Sequence, residues 1–175
     1  MPLSLSAWET FYVITGSAGA ALTGLMFVVI ALVSDRRPRP PADSVSAFST
    51  PTVTHFSSVL ILGAIMTVPL HRVWSLTVCL LACALGGLYA SARAGVRMRR
   101  MHAYAADVED WSWHVMLPSV AYLLLLASAV LVGVAFASAL VGVAVVVVLL
   151  LVIGIHNAWD VAVFLVVQSN EEAEG

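Results

Sequence analysis

The chain has 175 residues, of which 61% are hydrophobic and only 10% are charged. A soluble domain carries roughly a quarter charged residues, so the composition excludes an ordinary soluble protein and predicts an all-α integral membrane protein in a lipid bilayer. The net charge of −2 is uninformative. All eight cationic residues are arginines that flank apolar segments, so nucleic acid is not an expected partner.

The apolar segments predict a five-span transmembrane helical bundle that uses residues 1–175 as a single domain. The 55 residues from His114 to Gln168 are too many for one crossing at ~20 residues per span. We therefore expect a tight turn of small residues within 136–142, and without that turn the bundle has four spans. The expected spans are residues 11–33, 50–70, 74–92, 115–137 and 141–167.

The start of the second span is predicted at Thr50. Its hydroxyl can cap a helix, and Pro51 then occupies the first helical position, where its missing N–H costs nothing.

Arginine placement predicts the orientation. Seven arginines follow the first and third spans, and only Arg72 lies on the other side. The positive-inside rule therefore places residues 34–49 and 93–113 in the cytoplasm, with the N-terminus outside and the C-terminus inside. The expected location is the cell membrane, as a multi-pass protein of the bacterial inner membrane.

The last span contains the most informative residues, His156, Asn157 and Asp160. Ionisable groups inside an apolar span cost several kcal/mol unless they are paired or functional. His156 and Asp160 are four residues apart, and Asn157 and Asp160 are three apart, so these polar groups share one helix face.

His55 is expected to join this site. It lies five residues after Thr50, about 8 Å into the second span from the cytoplasmic side, a depth similar to that of Asp160. His114 and Asp110, at the entry to the fourth span, are secondary candidates with the same four-residue spacing. Pro118 would leave the carbonyl of His114 without its helical hydrogen bond.

Three functions fit such a cluster. Histidine titrates near neutral pH, so the site could handle protons or ions. It could instead clamp the helices through polar contacts in a structural or accessory membrane protein. As a third interpretation, His55, His156 and Asp160 could bind zinc or iron in an intramembrane metal-dependent enzyme. The chain has no HExxH motif and no paired CxxC motif, so an enzyme is not favoured.

The first span contains a stripe of small residues, Gly16, Ala20 and Gly24. Small residues at every fourth position allow another helix to approach closely. The stripe predicts packing within one protomer or, alternatively, the contact of a homo-oligomer.

Overall fold

The computed structural model describes residues 5–34, 42–69, 72–100 and 107–174, and the side chains of most of them. A short 3-10 turn, Leu5–Trp8, leads into the first helix. The helices are α1 (Glu9–Ser34), α2 (Ala42–Thr67), α3 (Val73–Arg100), α4 (Val108–Trp111), α5 (Leu117–Leu131) and α6 (Phe136–Glu174). A π-helical turn, Ser112–Met116, joins α4 to α5.

Within the described residues, five segments are long and apolar enough to cross a membrane. Three lie within single helices, Leu5–Leu32 combines the 3-10 turn with α1, and Val108–Leu131 combines α4, the π-helical turn and α5. The helical, apolar character predicted from composition is therefore confirmed. Helices α2, α3, α5 and α6 form a ring in which each packs against its two neighbours, and α1 lies outside the ring against α2.

The two ends of the bundle differ in chemistry. We call the end that holds Arg93, Arg97 and Arg99, near the C-terminus of α3, the arginine end. The guanidinium of Arg99 lies 5.4 Å from the centroid of the Trp111 ring, which brings α4 to the same end. In the opposite half the buried side chains are almost all apolar, as at Leu62, Met66, Leu76, Leu80, Leu125, Leu140 and Val143.

The turn before the last helix lies earlier than predicted. It occupies Val132–Ala135, and residues 136–142 form the first two turns of α6. Hydrogen bonds from the N–H groups of Val134 and Ala135 to the carbonyl of Leu131 close this turn. Small residues such as those in 136–142 are compatible with a helix, so their presence alone did not locate the turn.

The apolar part of the second span begins at Thr50, as predicted, but the helix that contains it starts earlier. Helix α2 begins at Ala42, and Pro51 lies inside it. Proline disfavours a helix interior because it removes one hydrogen bond and crowds a preceding carbonyl, but its φ angle is compatible with a helix, and α2 continues through it. Helix α3 extends to Arg100 and α4 starts at Val108, so both expected cytoplasmic loops, 34–49 and 93–113, contain helical residues.

Glycines bring α1 and α2 into close contact. A Cβ added to Gly16 would lie 3.3 Å from Gly63 Cα, and one added to Gly19 would lie 2.8 Å from the carbonyl oxygen of Phe56. Gly16 is buried, whereas Ala20 and Gly24 are exposed. The stripe thus contributes Gly16 to packing within the chain, and a role of Ala20 and Gly24 in a homo-oligomer stays a prediction.

Candidate functional site

The imidazole of His156 lies among two carboxylates and an indole ring. Its Nδ1 is 3.1 Å from Oδ2 of Asp160, one turn later on α6. Its Nε2 is 4.0 Å from Oε1 of Glu109. The ring of Trp113 stacks on the imidazole with 3.8 Å between centroids and an interplanar angle of 7°. Trp113 and Glu109 belong to the π-turn and α4, so the contacts bring two segments of the bundle together.

Asn157, the next residue on α6, is completely buried. Neither its side-chain oxygen nor its side-chain nitrogen has a hydrogen-bond partner within the described part of the chain. A buried polar group left without a partner costs about 1–3 kcal/mol. The hydrogen bond across helices that a polar clamp requires of Asn157 is therefore not among the contacts described.

His114 is buried in the π-turn, and its Nδ1 lies 3.1 Å from the backbone carbonyl of Asp110. The N–H of Leu117 donates to the carbonyl of Ser112, five residues earlier. Pro118 follows with no N–H to donate, which favours such a local change of hydrogen-bond pattern. A carbonyl can only accept, so Nδ1 of His114 carries the hydrogen and the lone pair of the neutral ring is on Nε2.

The side chain of Asp110 has a different partner from the one expected. Its carboxylate accepts from the N–H of Asp107 at 3.2 Å, and the carboxylate of Asp107 accepts from the N–H of Val108 at 2.7 Å. The two acids form a capping box at the start of α4. Asp110 therefore contacts His114 through its backbone, while its carboxylate caps the helix.

His55 begins a chain of hydrogen bonds between α2 and α5. Its Nδ1 is 3.3 Å from the hydroxyl of Tyr122, which is 2.9 Å from the hydroxyl of Ser58. Ser58 donates to the carbonyl of Thr54 at 2.8 Å.

These contacts assign the hydrogens in this chain. Since Ser58 uses its hydrogen on a carbonyl, it accepts from Tyr122, and Tyr122 in turn accepts from Nδ1 of His55. The lone pair of neutral His55 is thus on Nε2. That atom is buried and has no hydrogen-bond partner among the described residues.

The three histidines occupy neighbouring positions at the arginine end. His114 interacts electrostatically with His55 and also with His156 and Asp160, so it lies near both groups. No described hydrogen bond or ion pair joins His55 directly to His156. The expected residues therefore lie in the same half of the bundle.

Several residues around the site were not expected from the sequence. Ser58 follows His55 by three residues, and Tyr122 follows His114 by eight, so each shares a helix face with a predicted site residue. That spacing was the available signal for both. Glu109 and Trp113 carried no comparable signal, because their contacts with His156 depend on how the segments pack.

The described residues contain no group of three or more histidine, cysteine, aspartate or glutamate side chains placed to hold a metal ion. His156 and Asp160 supply two adjacent candidate ligands, but the contacts do not bring His55 to them. Zinc or iron binding by these three residues stays a prediction. Cys79 and Cys83 are free thiols on α3.

No protein-family model, curated protein or solved structure matches this chain. No residue role is therefore transferred to it from a relative.

Proposed function

We propose that this protein handles protons within the membrane, and that water at the arginine end exchanges protons with the buried histidines. The proposal concerns six side chains, which we call the titratable series: Glu109, Asp160, His156, His114, His55 and Tyr122.

The observation that supports the proposal is a steady decrease in exposure along the series. The side chains of Glu109, Asp160 and His156 are 74%, 44% and 28% exposed. His114 and His55 are 3% and 2% exposed, and Tyr122 is fully buried. Titratable groups thus extend from the surface into the interior of the bundle, as a path for proton uptake requires.

The hydrogen assignments suit such a path. His156 and Asp160 are partly exposed, and we propose that they are the groups that exchange protons with water at the arginine end. Neutral His114 and His55 each have their lone pair on Nε2, while Nδ1 is held by a carbonyl or a hydroxyl. The buried ring of His55 can therefore accept a proton at Nε2 without breaking its existing hydrogen bond.

The apolar opposite half of the bundle is consistent with proton exchange with only one side of the membrane in this arrangement of the helices. Its described core is largely leucine, valine and alanine, and the buried hydroxyl of Ser128 is occupied by the carbonyl of Leu124. Among the described residues no polar series continues there beyond Tyr122. Net transport across the membrane would require a second arrangement of the helices.

Proton flux into liposomes tests the proposal. The purified protein is reconstituted with an internal pH-sensitive dye, and flux is driven by a potassium gradient. We expect Asp160→Asn to reduce flux by roughly a hundredfold, because a positioned proton-transfer group contributes about that much. Asp107→Asn is the matched control: it removes a carboxylate at the same end, while asparagine still caps α4.

Flux lost in Asp160→Asn and retained in Asp107→Asn would support proton handling. Wild-type flux no greater than that of protein-free liposomes would contradict it, as would equal flux in a folded Asp160→Asn variant.

A structural or accessory role is the second candidate, favoured by one contact. The 2.9 Å hydrogen bond between Ser58 and Tyr122 joins α2 to α5, which are not adjacent in the ring. Such a bond could hold the bundle in one arrangement. In that case wild-type protein would show no proton flux, and substitutions at the site would change only stability. The third interpretation, a metal-dependent enzyme, has no comparable contact in its favour.

A further inference from the structure

A cavity of about 190 Å³ lies between α2 and α3 at the arginine end. Water occupies ~30 Å³ per molecule in the liquid, so the cavity has room for about six waters or for one tetrahedral oxyanion. Its polar lining consists of Thr50, Thr54, His55, Tyr89, Ser91, Arg93 and Arg97.

The charged residues that line the cavity, among those the structure describes, are both arginines. Arg93 and Arg97 are four residues apart on α3, and like charges at that spacing repel one another. None of the residues that line the cavity is acidic. No described ion pair involves either arginine, so an anion between them would relieve the repulsion.

Tyr89 helps to position one of these arginines. The guanidinium of Arg93 lies 5.8 Å from the centroid of the Tyr89 ring, and its Nη1 is 3.5 Å from the Tyr89 hydroxyl. A guanidinium carries several donors in a planar fork that matches the oxygens of a phosphate. The arginine is therefore oriented beside the cavity while its remaining donors can reach a ligand.

His55 is among the most deeply buried polar residues that line the cavity. It lines the cavity, is 2% exposed, and its Nε2 has no hydrogen-bond partner among the described residues. That atom is enclosed by the protein, so another part of the His55 ring faces the cavity.

We propose that the cavity between α2 and α3 binds a phosphate group, held by Arg93 and Arg97. The phosphate can belong to an anionic lipid headgroup or to a soluble phosphate compound. Basic cavities between transmembrane helices on the cytoplasmic side bind anionic headgroups, and the arginine end is the one predicted to face the cytoplasm. The proposal does not depend on proton handling, because the two arginines are outside the titratable series.

Binding to the full-length, detergent-purified protein tests the site. Thermal unfolding is followed during titration with inorganic phosphate and, separately, with short-chain phosphatidylglycerol. Sodium chloride at equal ionic strength and an uncharged diacylglycerol serve as ligand controls. The test variant is Arg93→Gln with Arg97→Gln. The matched control is Arg99→Gln, because Arg99 lies at the same end but stacks 5.4 Å from the centroid of Trp111, away from the cavity.

We expect saturable stabilisation in wild type and in Arg99→Gln, and a Kd at least about tenfold higher in the double variant, since charged hydrogen bonds contribute about 1.5–3 kcal/mol. Stabilisation by phosphatidylglycerol alone would identify a lipid ligand, and stabilisation by inorganic phosphate would identify a soluble one. Either result supports the site.

No stabilisation by either compound in wild type would overturn the proposal. So would an unchanged Kd in the double variant, or a loss of binding in Arg99→Gln as large as in the double variant. If the double variant does not fold, Arg97→Gln alone is titrated in the same way, and the same outcomes apply.

Discussion

At the level of single residues, the arginine end differs from the opposite half of the bundle in its buried polar atoms, several of which have no described hydrogen-bond partner. Both polar atoms of Asn157 and Nε2 of His55 lie inside the bundle without a described hydrogen bond. Each such atom has lost its interaction with water and gained nothing in return. These positions therefore cost stability, and a ligand, a water molecule or a proton can recover that cost.

Replacing Asn157 by leucine, which has the same branched side-chain shape, should stabilise the protein. The change removes two unsatisfied polar atoms from a completely buried position, so the free energy of unfolding should rise by about 1–3 kcal/mol. Thermal unfolding in detergent measures the effect. A clear decrease in stability would show that Asn157 forms a hydrogen bond in the protein, and would support its participation in a polar clamp.

Removing the hydroxyl of Tyr122 should have the opposite effect. Tyr122→Phe deletes the partner of both His55 and Ser58 and leaves Nδ1 of His55 unsatisfied. The free energy of unfolding should fall by about 1–2 kcal/mol. Tyr89→Phe is the control, because Tyr89 is largely exposed and its change should stay within about 0.5 kcal/mol. Equal stability of the two variants would argue against the hydrogen-bond chain.

Between elements, the contact of α1 with α2 depends on the absence of side chains at glycine positions. A Cβ on Gly63 would lie 2.8 Å from Gly16 Cα and 2.9 Å from the carbonyl oxygen of Tyr12, and both atoms are backbone. Backbone atoms cannot move aside without displacing the whole helix. The separation of the two helices is therefore fixed at this contact.

Gly63→Ala should consequently separate α1 from α2 and destabilise the bundle by about 1–3 kcal/mol. Gly24→Ala on α1 is the matched control, since a Cβ there meets no atom within 4 Å. In the control the free energy of unfolding should rise by about 0.5–1 kcal/mol, because alanine loses less backbone entropy than glycine on folding. Comparison of the two unfolding temperatures tests the contact, and a Gly63→Ala protein as stable as Gly24→Ala would contradict it.

The elements also show what could be predicted from the sequence. The contact of His156 with Asp160 follows from four-residue spacing on one helix, and five apolar segments follow from hydropathy. The contacts of His55 with Tyr122 and of Trp113 with His156 depend on how each helix rotates about its axis. Local periodicity does not determine that rotation, nor does it show that α2 continues through Pro51.

For the whole molecule, the distribution of arginine predicts which end faces the cytoplasm. The titratable series and the cavity both lie at the arginine end, so the predicted orientation also assigns the side from which protons and phosphate would enter. The turn at Val132–Ala135 lies at the other end and is expected outside the cell.

Cysteine labelling of intact cells measures this orientation. In a Cys79→Ala, Cys83→Ala background, Gly133→Cys should react with a membrane-impermeant maleimide. Glu109→Cys should react only after the cells are opened, although its position is highly exposed. The reverse pattern would invert the topology and place both sites on the outer face.

The stacking of Trp113 on His156 has an optical consequence. A protonated imidazole quenches the fluorescence of an indole ring in contact with it far more strongly than a neutral one does. The emission of Trp113 should therefore change as His156 gains or loses a proton, and a variant that keeps Trp113 as its only tryptophan would show that change directly. The molecule contains an internal fluorescent indicator at the outermost histidine of its buried site.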